Sequence, residues 1–71
     1  MFRADPHYPR IILSFVYRGY QIQVEQEEAN DQVIYSAWAN YAVGCAVAVP
    51  IAYSRSETIR RAKLWVDRRC Q

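Results

Sequence analysis

The stretch Ser54–Arg69, SRSETIRRAKLWVDRR, carries the local signals of an amphipathic helix, and the rest of the chain reads as the sheet that receives it. Ser54 or Ser56 offers an N-cap hydroxyl to the orphan amides of the first turn. Ser54 with Glu57 has the spacing of a capping box. Glu57 sits at the positive end of the helix dipole, and Arg68 and Arg69 at its negative end. Glu57 with Arg61, and Lys63 with Asp67, are spaced as i,i+4 ion pairs, each contributing about 0.2–0.5 kcal/mol.

At about 100° per residue, Ile59, Ala62, Trp65, Val66 and Cys70 fall on one arc, the expected core-facing stripe. Leu64 points the other way, among Arg60, Arg61 and Arg68. A single exposed apolar residue is ordinary on a protein surface. An apolar anchor ringed by guanidinium groups also suits a partner groove or self-association. Arg60, Arg61, Leu64 and Arg68 are therefore the candidate partner-binding residues.

Upstream of the helix the pattern changes from a period of 3.6 to a period of 2. Arg10–Tyr17 is rich in β-branched and aromatic residues, with Ile11, Leu13, Phe15 and Tyr17 on one face. Its other face, Ile12, Ser14 and Val16, is apolar enough to expect a central strand covered on both sides. Arg18-Gly19 reads as a two-residue hairpin turn. Tyr20–Gln26 alternates between Tyr20, Ile22, Val24 and a polar row of Gln21, Gln23, Glu25. Glu27–Asp31 is expected to turn the chain through Ala29-Asn30-Asp31. Gln32–Asn40 is a third strand, with Val33, Tyr35, Ala37 and Ala39 on one side and Ile34, Ser36 and Trp38 on the other.

Tyr41–Tyr53 admits two readings, a fourth strand or an extended connector under the helix. Its lack of charge argues burial, and its small residues argue close approach of another element. Pro50 excludes a central ladder position. The architecture expected is α+β: a three- or four-stranded antiparallel β-meander with one C-terminal α-helix packed across one face. Residues 1–9, broken by Pro6 and Pro9, form a loose arm. Residues 10–71 form a single small domain.

A chain of 71 residues lies near the lower limit for folding on its own core, so a dimer interface is a natural source of further stability. Its 52% hydrophobic and 14% aromatic content argues against disorder. Met1–Arg10 is polar and lacks the apolar core of a secretory leader, and no apolar run is long enough to span a bilayer. Cys45 and Cys70 are expected as reduced thiols packed like small apolar groups in a cytoplasmic protein.

The charges are segregated. Net charge is +2 over residues 1–18, −4 over Gly19–Ser54, which holds no Lys or Arg, and +4 from Arg55 onward. An acidic sheet segment thus stands beside a basic helix. His7, in the arm, has no carboxylate or nucleophile at a catalytic spacing, so no enzyme is expected. The acids at 25–31 lack the alternation and glycine of a calcium loop, and two glycines make no phosphate loop. No metal, cofactor, small-molecule substrate or membrane is expected. The function expected is protein–protein interaction or self-association, possible as a homodimer. The alternative is nucleic-acid binding through the helix arginines, against which an acidic, cation-free sheet repels phosphate.

Overall fold

A computed structural model describes residues 10–70, and the arm expected over residues 1–9, with His7, lies outside them. The chain forms β1 (Arg10–Tyr17), β2 (Tyr20–Ala29), β3 (Gln32–Tyr41), β4 (Gly44–Ala52) and α1 (Arg55–Arg69). The four strands make one antiparallel sheet in the order β1-β2-β3-β4. α1 lies on one face of it, mainly over β4 and β3 and less over β2. The α+β meander is as expected, and residues 44–52 are its fourth strand.

Two of the three turns owe their tightness to positive φ. Arg18 and Gly19 take φ of 52° and 86°, and Asn30 and Asp31 take 52° and 61°. Two successive left-handed residues match the twist of the flanking strands, and Asn and Asp tolerate that region better than most. The five-residue turn expected over Glu27–Asp31 is therefore only two residues long. β2 runs on through Ala29, opposite Gln32.

The core is one layer between sheet and helix. Ile22 and Val24 from β2, Ala37 and Ala39 from β3, and Val49 and Ala52 from β4 meet Ala62 and Val66 of α1, all without solvent exposure. Burial of each branched side chain here is worth about 1.5–3 kcal/mol. The alanines have a different role: with only a methyl at 37, 39 and 62, the helix backbone settles close to the sheet. Leu13, Phe15 and Tyr17 of β1 reach the edge of this layer and are half-buried.

β1 and β4 are both edges of the sheet, so β1 is not the central, doubly covered strand expected. A bulge at Ile12 breaks its alternation: Ile11 faces Glu25 and Leu13 faces Val24. Ile11 is thereby turned to the open side, 55% exposed, while Leu13 stays against the core. β4 carries two irregularities, since Ala48 is extra between Val47 and Val49, and Pro50-Ile51 spans one step of β3. Pro50 sits at an edge and beside a bulge, where its missing N–H costs no ladder bond. The absence of charge in this stretch does not mean burial: Cys45, Val47, Pro50 and Ile51 are exposed.

α1 begins where the capping pattern places it. Ser54, extended at φ −145°, accepts through Oγ from the Glu57 amide at 3.1 Å. The Glu57 carboxylate reaches back one residue further than the box predicts, accepting from the Tyr53 amide at 3.4 Å. Thr58, outside the predicted stripe, is fully buried. Its hydroxyl donates to the Ser54 carbonyl at 2.7 Å, which leaves the methyl free to face the core. Ile59, Trp65 and Cys70 flank the stripe.

Candidate interaction surfaces

Many of the helix cations are tied to the fold. The Lys63 ammonium stands 5.4 Å from the Tyr17 ring and 5.8 Å from Phe15, and makes no ion pair with Asp67. Asp67 accepts instead from Tyr17 Oη and from Arg18 Nη1, both at 2.9 Å. The Arg18 bond, then the Tyr17 bond, holds the Asp67 carboxyl below its ordinary range. Arg69 lies over Trp65 at 4.7 Å and Tyr41 at 5.6 Å. The Trp65 ring also meets Tyr20 edge to face, at 5.9 Å. These arrangements spend cationic charge on aromatic faces, where exposed examples are worth about 0.5–1 kcal/mol.

Arg55, Arg60 and Arg68 have no hydrogen-bond or ion-pair partner among the described residues. Arg61 is held in place, donating through Nη1 to the Ile51 carbonyl at 2.9 Å with Glu57 at 3.6 Å. That bond anchors the middle of the helix to the end of β4 and points the guanidinium along the edge of the sheet.

Arg61, Leu64, Trp65, Arg68 and Ala48 line one open depression of about 210 Å³ between the edge strand and the helix. Leu64 is 41% exposed there. The bulged, small Ala48 leaves the space that a larger side chain would fill. Of the four residues singled out in the sequence, three therefore come together, and Arg60 stays outside. The sequence did not point to Ala48 or Trp65 as members. Only the β4 bulge, which depends on pairing with β3, brings them to this spot.

The open face of the sheet is a second surface. Trp38 stands near its middle, between Gln23 and Val47 on the neighbouring strands. An amide network runs beside it, with Asn40 donating to Gln23 at 3.0 Å and Gln21 to Ser14 at 3.3 Å. Val16, 72% exposed, and Val47, 44% exposed, are separated by that polar row. Cys45 also lies on this face, exposed and not packed as expected, whereas Cys70 is half-buried, and both are free thiols.

The acidic residues gather toward the β2–β3 hairpin. Among the described residues, the pairing of β1 with β2 reaches Gln26, and that of β4 with β3 reaches Tyr35. Beyond those rungs Glu27, Glu28 and Ala29 pair only with Ile34, Val33 and Gln32 among the described residues. Val33 is 39% exposed and Asp31 is exposed at the tip.

No three His, Cys, Asp or Glu residues among the described ones cluster as a metal site. No described helix is long and apolar enough to cross a membrane. Compared with known proteins, the chain matches no family model, no curated protein and no solved structure.

Proposed function

We propose that this chain is a non-enzymatic protein-interaction domain that self-associates, with the depression beside α1 as its contact surface. The observation that carries this reading is the placement of Leu64 and Trp65 between Arg61 and Arg68, next to the free edge of β4. Apolar side chains set among charged guanidinium groups are the composition of an interface anchor: Leu64 and Trp65 supply burial, and the arginines supply orientation and charge-assisted hydrogen bonds. A cytoplasmic setting accords with the free thiols Cys45 and Cys70.

The alternative is nucleic-acid binding through the helix, and Arg55, Arg60 and Arg68 are its support. It has less to draw on than the charge count offers. Lys63 and Arg69 lie over aromatic rings, and Trp65, the natural stacking platform, already meets Arg69 and Tyr20. The sheet segment Gly19–Ser54 offers phosphate no cation.

Leu64→Glu separates the two. Self-association through the depression is weakened by this change, measured as molar mass by light scattering against concentration. Nucleic-acid binding through the helix would show instead as a monomer that co-elutes with a mixed-sequence oligonucleotide only at low salt and loses it in Arg60→Ala with Arg68→Ala.

A further inference from the structure

We infer that Tyr20, Tyr41 and Trp65 form an aromatic cage for a quaternary ammonium group, and that the Arg69 guanidinium is a built-in plug which such a ligand displaces. This does not depend on the self-association reading above, although Trp65 belongs to both sites.

Three rings from three elements converge on one point. Tyr20 of β2 and Tyr41 of β3 have centroids 5.5 Å apart, and Trp65 of α1 meets Tyr20 edge to face at 5.9 Å. A cation already occupies that point, since the Arg69 guanidinium lies 4.7 Å from the Trp65 ring and 5.6 Å from Tyr41. The Tyr20 hydroxyl beside it, first among several causes, holds the guanidinium above its ordinary value. Gly44 pairs with Tyr41, and a Cβ there would lie 3.9 Å from the Tyr41 hydroxyl, so glycine leaves that flank of the ring free of a side chain. The cage stands at the Tyr20 end of β2, away from Gln26, opposite which the described chain begins at Arg10.

The walls are fixed and the plug is not. Tyr20 and Tyr41 adjoin the Gln21–Asn40 rung, and each is also paired on its other side, with Tyr17 and with Gly44. Trp65 lies one turn inside the helix, whereas Arg69 is its last residue and is exposed. The carbonyls of a last turn lack partners further along the helix, and such ends open at little free-energy cost. Aromatic faces attract cations in general, so hydration decides which cation displaces Arg69. A guanidinium is weakly hydrated and a primary ammonium strongly. A quaternary ammonium has no N–H to hydrate, so it takes the place of the guanidinium without giving up a tight water shell. Asp67, the nearest acid along the helix, is committed to Tyr17 and Arg18, so the rings and not a carboxylate hold the ligand.

The test is titration with tetramethylammonium chloride, followed by Trp65 fluorescence in a Trp38→Phe background that leaves Trp65 as the one tryptophan. Sodium chloride at equal concentration controls for ionic strength, and circular dichroism confirms that each variant is folded. The expected result is a saturable change in Trp65 emission that sodium chloride does not produce. Arg69→Gln binds about five- to thirtyfold more tightly, because two exposed cation–π contacts no longer compete. Tyr41→Leu, or Tyr20→Leu, added to Arg69→Gln weakens binding at least about tenfold. Parallel titrations with trimethyl-lysine and with choline identify the source, a modified protein side chain or a choline headgroup, as whichever binds more tightly. A signal that never saturates in Arg69→Gln, or that sodium chloride reproduces, overturns the cage. Binding that survives both tyrosine changes places the ammonium elsewhere and overturns it too. Equal affinity with and without the Arg69 guanidinium overturns the plug.

Discussion

Tyr17 and Asp67, fifty positions apart in the chain, are joined by a 2.9 Å hydrogen bond that ties the end of the first strand to the last turn of the helix. Arg18 closes on the same carboxylate oxygen from the adjoining turn. β1 makes its contact with the helix largely through this cluster and the Lys63–aromatic contacts beside it, so the cluster locks the edge of the sheet to the covering layer.

The pH dependence follows from the directions of the shifts. Asp67 is held below its ordinary 3.8, by Arg18 first and Tyr17 second. A depressed folded value means that its contribution is complete above 3.8 and is lost as pH falls through the lower folded value. Tyr17 is raised above 10.0, chiefly by its bond to Asp67, so its contribution is present below 10 and is lost as pH rises through the folded value. Asp67→Asn should melt below wild type at pH 7, with the gap closing as the pH is lowered below 3.8. Thermal melts followed by circular dichroism across that range check this.

Close approach of helix to sheet sets the second prediction. Ala62 is fully buried in the core layer that also holds Ala37 and Ala39 of β3. Ala62→Leu should destabilise by about 1–3 kcal/mol through overpacking. Ile22→Ala should cost about 2–5 kcal/mol through the cavity it leaves. Urea denaturation midpoints measure both.

The Asn30-Asp31 turn sets the third prediction, through its left-handed backbone. Asp31 takes φ of 61°, and glycine adopts that conformation without the Cβ penalty. Asp31→Gly should leave the monomer fold as stable or up to about 1 kcal/mol more stable. Chemical denaturation midpoints measure this.

Much of this architecture is legible in the sequence because local chemistry decides it. The bounds of β1, the N-cap at Ser54 and the helix stripe through Ala62 and Val66 follow from alternation, a hydroxyl and a 3.6 period. What escapes is decided by partners far along the chain. The bulge at Ile12 depends on pairing with β2, and it alone sends Ile11 to the open side. The bulge at Ala48 depends on β3 and shapes the depression. Thr58 looks polar, but its hydroxyl is satisfied by a carbonyl four residues back, so it packs as an apolar group. The charge-free run over β4 looked buried because composition alone does not distinguish an edge strand from a covered one. For the site, the helical period is enough to set Arg61, Leu64 and Arg68 on one side of α1. The membership of Ala48 and Trp65, and the exclusion of Arg60, belong to tertiary packing.

The measurement closest to the central claim is sedimentation equilibrium of the wild-type chain over a wide concentration range, at low and at moderate salt. The account predicts a monomer–dimer equilibrium whose dissociation constant rises with salt, as the charge-assisted contacts of Arg61 and Arg68 at the interface rim are screened. A single monomeric species at every concentration and both salts would contradict it.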